Sequence, residues 1–157
     1  MVQLLDPKTG EFSISKDFIV SAKTTIEDLV AYFGESALQV RDFENGHSNY
    51  TVRDLKIADL YFILTFYFVN NRISKLSVLV QELPYNLDQK LPNSNSSGWD
   101  NFNEKDEIKK GDFIKLWFAH QMHNDYKKYD WGKADVYYDF HNLSSSCLIN
   151  YNMPIKI

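Results

Sequence analysis

Apolar and polar residues alternate with a period of two from Leu60 to Gln81, which predicts a long antiparallel hairpin. Leu60, Phe62, Leu64, Phe66 and Phe68 share one face of its first strand, and Tyr61, Ile63, Thr65, Tyr67 and Val69 share the other. Beyond Asn70-Asn71-Arg72, Leu76, Val78 and Val80 face one way and Lys75, Ser77 and Gln81 the other. A two-residue Asn70-Asn71 loop would set Phe62, Leu64 and Phe66 opposite Leu79, Ser77 and Lys75. A three-residue loop through Arg72 instead pairs Phe66 with Leu76, Leu64 with Val78 and Phe62 with Val80. A one-residue slip turns every side chain to the other face, so burial selects the second arrangement.

The same reasoning covers most of the chain. Val2 and Leu4 match Phe12 and Ile14 across an Asp6-Pro7-Lys8-Thr9-Gly10 turn, in which Pro presets φ and Gly accepts the left-handed position. Thr24 with Glu27 three residues on is a capping-box pattern, and Ile26, Leu29, Val30 and Phe33 then form one apolar helical stripe ending at Gly34. Ala37 to Phe43 and Tyr50 to Ile57 read as strands around Glu44-Asn45-Gly46, with polar flanks that suit a place near a sheet edge. A second helix is predicted from Glu104 to Asn124, with Ile108, Ile114, Trp117, Phe118, Gln121 and Met122 on one side. Gly111 weakens its first half by ~1 kcal/mol relative to Ala, so a start nearer Asp112 is expected. Ala134, Val136, Tyr138 and Phe140, answered by Cys147, Ile149 and Tyr151, make a last hairpin. The order is ββαββββαββ, an α+β fold of about eight mostly antiparallel strands with two helices packed on the sheet.

One segment breaks the pattern. Residues 82–103 hold two prolines, five asparagines and the run Asn93-Ser94-Asn95-Ser96-Ser97-Gly98, and read as a long loop within one 157-residue domain. Aromatic residues make up 15% of the chain and fall mostly in strand-like runs, so core and sheet faces are their expected users. Cys147 is the single cysteine, which excludes an intramolecular disulfide framework. Met1 to Pro7 lacks the basic region and apolar core of a signal peptide, and the longest apolar run is about half the ~20 residues a membrane helix needs. The expectation is therefore a cytoplasmic protein without a membrane partner. A net charge of −4, with Lys109-Lys110 and Lys127-Lys128 as isolated basic pairs, argues against nucleic acid.

Candidate chemistry is sparse. His120 and His123 lie three apart on the second helix near Asp125, but no further Cys or His is placed to complete a metal site. Cys147 lies on the apolar face of a strand and reads as a small hydrophobe rather than a nucleophile with His141. Asp135 and Asp139 share a strand face as solvated charge. There is no phosphate loop, nucleophile elbow or paired-His metalloprotease motif. No residue pattern calls for a catalytic group, cofactor or metal. Trp99, Asp100, Glu104, Asp106 and Glu107 cluster where the long loop meets the second helix. They form either a helix N-terminus stabilised by its dipole or an acidic patch that meets a basic protein partner. Trp99 favours the binding reading, because Trp is enriched at interface hot spots.

Trp131-Gly132, Tyr138-Asp139 and Ser144-Ser145-Ser146 leading to Ile149-Asn150-Tyr151 resemble the closing motif of a group of small bacterial α+β proteins. The Asp6–Gly10 hairpin, the early short helix and the Trp-bearing second helix extend the resemblance over most of the chain. Phe140-His141-Asn142-Leu143 departs from the Lys/Gly-containing turn of that group. Some members are immunity proteins encoded beside toxins, and the resemblance implies a non-catalytic inhibitor that masks a toxin's active face. Two other classes fit the fold: a small-molecule binder or enzyme with a pocket between sheet and helices, and a subunit that self-associates through Tyr61 and Tyr67.

Overall fold

The computed structural model describes residues 2–82, 104–124, 128–139 and 144–151. Two strands, β1 (Phe12–Ser15) and β2 (Phe18–Val20), precede helix α1 (Ile26–Phe33). Then follow β3 (Gln39–Asp42), β4 (His47–Ile57), β5 (Leu60–Val69) and β6 (Arg72–Gln81), helix α2 (Glu104–Gln121), β7 (Gly132–Asp139) and β8 (Ser144–Tyr151). β1 and β2 form a two-stranded sheet, and the others form one antiparallel six-stranded sheet in the order β3-β4-β5-β6-β8-β7. The fold is thus α+β in the expected element order, with different residues in its first two strands. Val2 to Leu5 contributes a single bridge, Leu5 to Phe12, rather than a strand, and β1 pairs onward with β2.

The long hairpin has the register that burial demands, reached by another device. Phe62 faces Val80, Leu64 faces Val78 and Phe66 faces Leu76. The loop nevertheless has two residues, Asn70 and Asn71, at φ 50 and 63, and Val69 pairs directly with Arg72. Positive φ at both central positions matches the right-handed twist of a hairpin. The register is recovered by a bulge at Ser74, the extra residue between the Phe68–Ile73 and Tyr67–Lys75 pairs.

Thr25 caps α1, one residue beyond the expected position. Its side chain accepts the Asp28 N–H at 3.2 Å, while the Asp28 carboxylate accepts the Thr25 N–H at 3.0 Å. Thr24 is buried and instead accepts the Ser21 N–H at 2.9 Å. α2 is helical from Glu104 straight through Gly111, since its neighbours are mostly good helix formers. It ends at Gln121 rather than Asn124. His123 and Asn124 turn left-handed there, and the Asn124 N–H reaches the Ala119 carbonyl at 3.0 Å.

Both helices and the small sheet lie on one face of the large sheet. Phe62 meets Phe12 and Trp117 at ring-centroid distances of 6.1 and 5.8 Å, and Phe66 meets Phe33 at 6.3 Å. Phe62, Leu64, Phe66, Leu76, Val78, Cys147 and Ile149 are fully buried beneath them. Full burial of each large apolar side chain contributes roughly 1.5–3 kcal/mol, so this layer carries most of the stability.

The N-terminal segment is fastened to α2 by a buried amide. The Gln121 Oε1 accepts the Leu4 and Leu5 N–H groups at 2.7 and 2.9 Å, and its Nε2 donates to the Val2 carbonyl at 2.9 Å. One side chain thus does the hydrogen bonding of a missing strand neighbour. At the other end of the segment, Trp131 lies over the Asp6–Gly10 turn and its Nε1 donates to the Pro7 carbonyl at 2.8 Å. The Tyr151 hydroxyl donates to the Gly10 carbonyl at 2.8 Å, and burial pushes its pKa up.

Candidate functional site

Period-two alternation sends half of the sheet's side chains away from the helices, and these form the candidate surface. On β5 they are Tyr61, Ile63, Thr65 and Tyr67, all half-buried by their neighbours within the sheet. Register places Leu79 beside Ile63, Ser77 beside Thr65, and Leu148 beside Ser77. Asn49 and Lys75 flank Tyr67 from β4 and β6. Tyr137, on edge strand β7, is 53% exposed. The surface is thus a shallow apolar and aromatic centre set among amides, hydroxyls and lysines. Among the described residues, no helix or strand packs on it.

Contacts within the sheet hold these side chains in place. Thr51 and Thr65 share a hydroxyl hydrogen bond at 3.0 Å. The Lys75 ammonium sits 4.5 Å over the Tyr67 ring and that of Lys56 lies 6.0 Å from the Tyr61 ring. Such cation–π contacts contribute roughly 0.5–1 kcal/mol each at exposed sites and fix the rings against the sheet.

The part of β4 that β3 leaves uncovered is guarded. β3 covers only His47-side residues of β4, since its pairs run from Gln39–Thr51 to Asp42–Ser48. The remaining stretch of β4 carries a bulge between Val52 and Leu55, with Asp54 at φ 52 and the charged Arg53 and Lys56 beside it. A bulge and charges are what blunt an edge against added strands. Strand addition by a partner is therefore disfavoured there.

The predicted acidic patch divides between two cases. Trp99 and Asp100 lie outside the described residues. Glu104, Asp106 and Glu107 fall in the first turns of α2, whose backbone alone is described there. Of the histidines, His123 Nε2 lies 3.1 Å from Gln3 Oε1, while Asp125 and His141 lie outside the described residues. Among the described residues, no three His, Cys, Asp or Glu side chains converge as a metal site would require. Cys147 is buried on the core face, where desolvation pushes its thiol pKa up and suppresses the thiolate.

A groove of about 480 Å³ between β2 and α1 is lined by Asp17, Phe18, Ile19, Lys23, Asp28 and Tyr32, among others. Two of its polar groups are already engaged. Asp28 caps the helix, and the Tyr32 hydroxyl donates to Ser15 Oγ at 2.8 Å.

No protein-family model, curated protein or solved structure matches the chain. Among the described residues, no helix is long and apolar enough to cross a membrane. The open face was half-visible in the sequence, where Tyr61 and Tyr67 stand out on the more polar side of the hairpin. Its contributions from β4, β7 and β8 were not, because they depend on a strand order that periodicity does not encode.

Proposed function

We propose that this chain is a non-catalytic binding protein that engages another protein through the open face of its six-stranded sheet. The observation that carries the reading is the cluster of Tyr61, Ile63, Leu79 and Leu148 on a face over which no described helix or strand packs. An apolar centre with aromatic and polar surroundings is the anatomy of a recognition patch. An inhibitor of the immunity type, masking a toxin's active face, is the specific form of this activity that the C-terminal hairpin's resemblance suggests.

Site-directed photocrosslinking tests it. A benzophenone side chain at Ser77, at the centre of the face, should trap a protein partner in the native cell. The same group at Leu116, 67% exposed on the far side of the molecule, should not. Trapping only from Leu116 would remove the open face as the working surface. Neutralising Asp100, Glu104, Asp106 and Glu107 together tests the acidic patch separately, and unchanged association kinetics would eliminate that patch.

A further inference from the structure

We infer that the partner of the open face is a protein whose own surface has an apolar centre bordered by carboxylates. This rests on the open face being the working surface, and it follows from a charge pattern that only strand register assembles. Arg41, Arg53, Lys56, Arg72, Lys75 and Lys133 all come to this side of the sheet. Arg41 pairs with Asn49, and Asn49 with Tyr67; Arg72 pairs with Val69 and Lys133 with Asn150. Lys56 and Lys75 lie over the Tyr61 and Tyr67 rings, and Arg53 Nε donates to the Gln39 Oε1 at 3.0 Å.

Against these cations stand Asp135 and Asp139, in register on edge strand β7, and Asp54, which shares the β4 bulge with Arg53. Asp135 already faces Lys133 at 3.8 Å. The chain as a whole carries −4, so a cationic sheet face leaves the rest of the molecule more acidic than that total. The cations border Ile63, Leu79 and Leu148 on two sides, along the row through Tyr67 and on β4, while Asp135 on β7 stands beside Leu148. A border of mostly one sign steers encounter and disfavours partners of like sign.

The pattern discriminates among occupants. A second copy docked face to face would bring like charges together in an isologous contact. Base stacking by single-stranded nucleic acid would have to displace Lys75 and Lys56 from the Tyr67 and Tyr61 rings, which leaves Tyr137 as the exposed ring of this face. An acidic protein patch meets neither obstacle. The sign is opposite to that of a basic partner drawn to the acidic start of α2, so charge alone separates the two.

The test pans a phage-displayed random dodecapeptide library on the full chain and on its K56E/K75E/K133E variant. Selected peptides should pair aromatic or aliphatic residues with flanking Asp or Glu, and they should be lost on the variant. A synthetic selected peptide should shift the amide resonances of Tyr61, Ile63, Tyr67 and Leu79, and bind the variant roughly tenfold or more weakly. Peptides that shift those amides without an acidic bias would overturn the charge assignment while leaving the open face as the binding surface. Shifts confined to α1 or α2, or no selection at all, would overturn both. Tighter binding of a dodecathymidine oligonucleotide at the same amides would assign the face to nucleic acid instead. Concentration-dependent shifts of the same amides without peptide would assign it to a second copy.

Discussion

Asn71, at the tip of the β5–β6 turn, accepts the Ile26 N–H on its Oδ1 at 2.9 Å and so fills an open donor at the start of α1. Its Nδ2 donates to the Glu27 carboxylate at 2.9 Å. One turn residue therefore ties the hairpin to the helix across 45 positions of sequence.

Replacing Asn71 by Gly keeps the left-handed backbone, φ 63, and removes both bonds. The variant should lose about 1 kcal/mol from the Ile26 bond, measured by urea unfolding at neutral pH. The Asn71 amide is the main cause that holds the Glu27 pKa below its ordinary 4.5. A depressed folded-state value means that this contribution is present above pH 4.5 and is lost as pH falls through the folded pKa. In N71G the Glu27 carboxyl should titrate closer to its ordinary value by NMR. An unmoved titration would show that Asn71 does not hold that carboxylate.

The bulge at Ser74 makes a prediction about deletion rather than substitution. Removing Ser74 leaves Phe68 opposite Ile73 and Tyr67 opposite Lys75, so every later pair keeps its partner. The cost should be limited to the Ser74 Oγ bond to the Tyr67 carbonyl and the local change in twist, about 1–2 kcal/mol. Removing Ser77 instead drives Val78 and Val80 to the wrong face and should abolish cooperative unfolding. Equal damage from the two deletions would show that the bulge itself is essential.

Gln121 was legible only as one more position on the apolar side of a helix. Its substitution by Leu preserves bulk but leaves the Leu4 and Leu5 N–H groups and the Val2 carbonyl without their partner. The expected loss is roughly 2–4 kcal/mol, because buried donors are left unpaired. Hydrogen exchange at Leu4 and Leu5 should accelerate well before that of β5. Persisting protection of those two amides would mean that the Asp6–Gly10 turn alone holds the segment.

These cases show what alternation can and cannot reveal. Within one hairpin, burial determines register, and the Phe62–Val80, Leu64–Val78 and Phe66–Leu76 pairs are readable from the sequence alone. The means of reaching it was not, since a two-residue turn plus a bulge and a three-residue loop give the same later pairs. Local capping chemistry was readable to within one residue, because Thr24 and Thr25 both stand before carboxylates at the right spacing. What joins distant strands was unreadable. Arg41, Lys56, Lys75 and Lys133 are scattered singly along the chain and come to one sheet face only through the β3-β4-β5-β6-β8-β7 order.

Charge reversal on that face should be nearly neutral for folding, which is what makes it usable as a binding test. Lys133 is 59% exposed at its side chain, and Lys56 is also exposed. Surface ion pairs and cation–π contacts of this kind contribute about 1 kcal/mol or less each. The K56E/K75E/K133E variant should therefore unfold within about 3 kcal/mol of the parent in urea. A larger loss would mean that these lysines are structural rather than available to a partner.

Gly10 and Gly34 separate backbone strain from steric clash at the Trp131 contact with the Asp6–Gly10 turn. Both have positive φ, 75 and 82, so an Ala at either place is strained, and at Gly34 ψ 153 adds a conformation that glycine alone readily adopts. At Gly34 nothing lies within 4 Å of the added methyl, so backbone strain of roughly 1–3 kcal/mol should be the whole cost. At Gly10 the methyl would stand 2.5 Å from the Trp131 ring, which is fixed by its Pro7 bond and stacked on Tyr129 at 5.9 Å. The G10A variant should therefore lose a further 1–3 kcal/mol, roughly, beyond its own backbone strain, the range for overpacking. A double-mutant cycle isolates the cause. In a W131A background the clash is gone, and G10A should cost roughly 1–3 kcal/mol less than it does in the parent. An unchanged cost would place the constraint in the Asp6–Gly10 turn itself rather than in the indole lying over it.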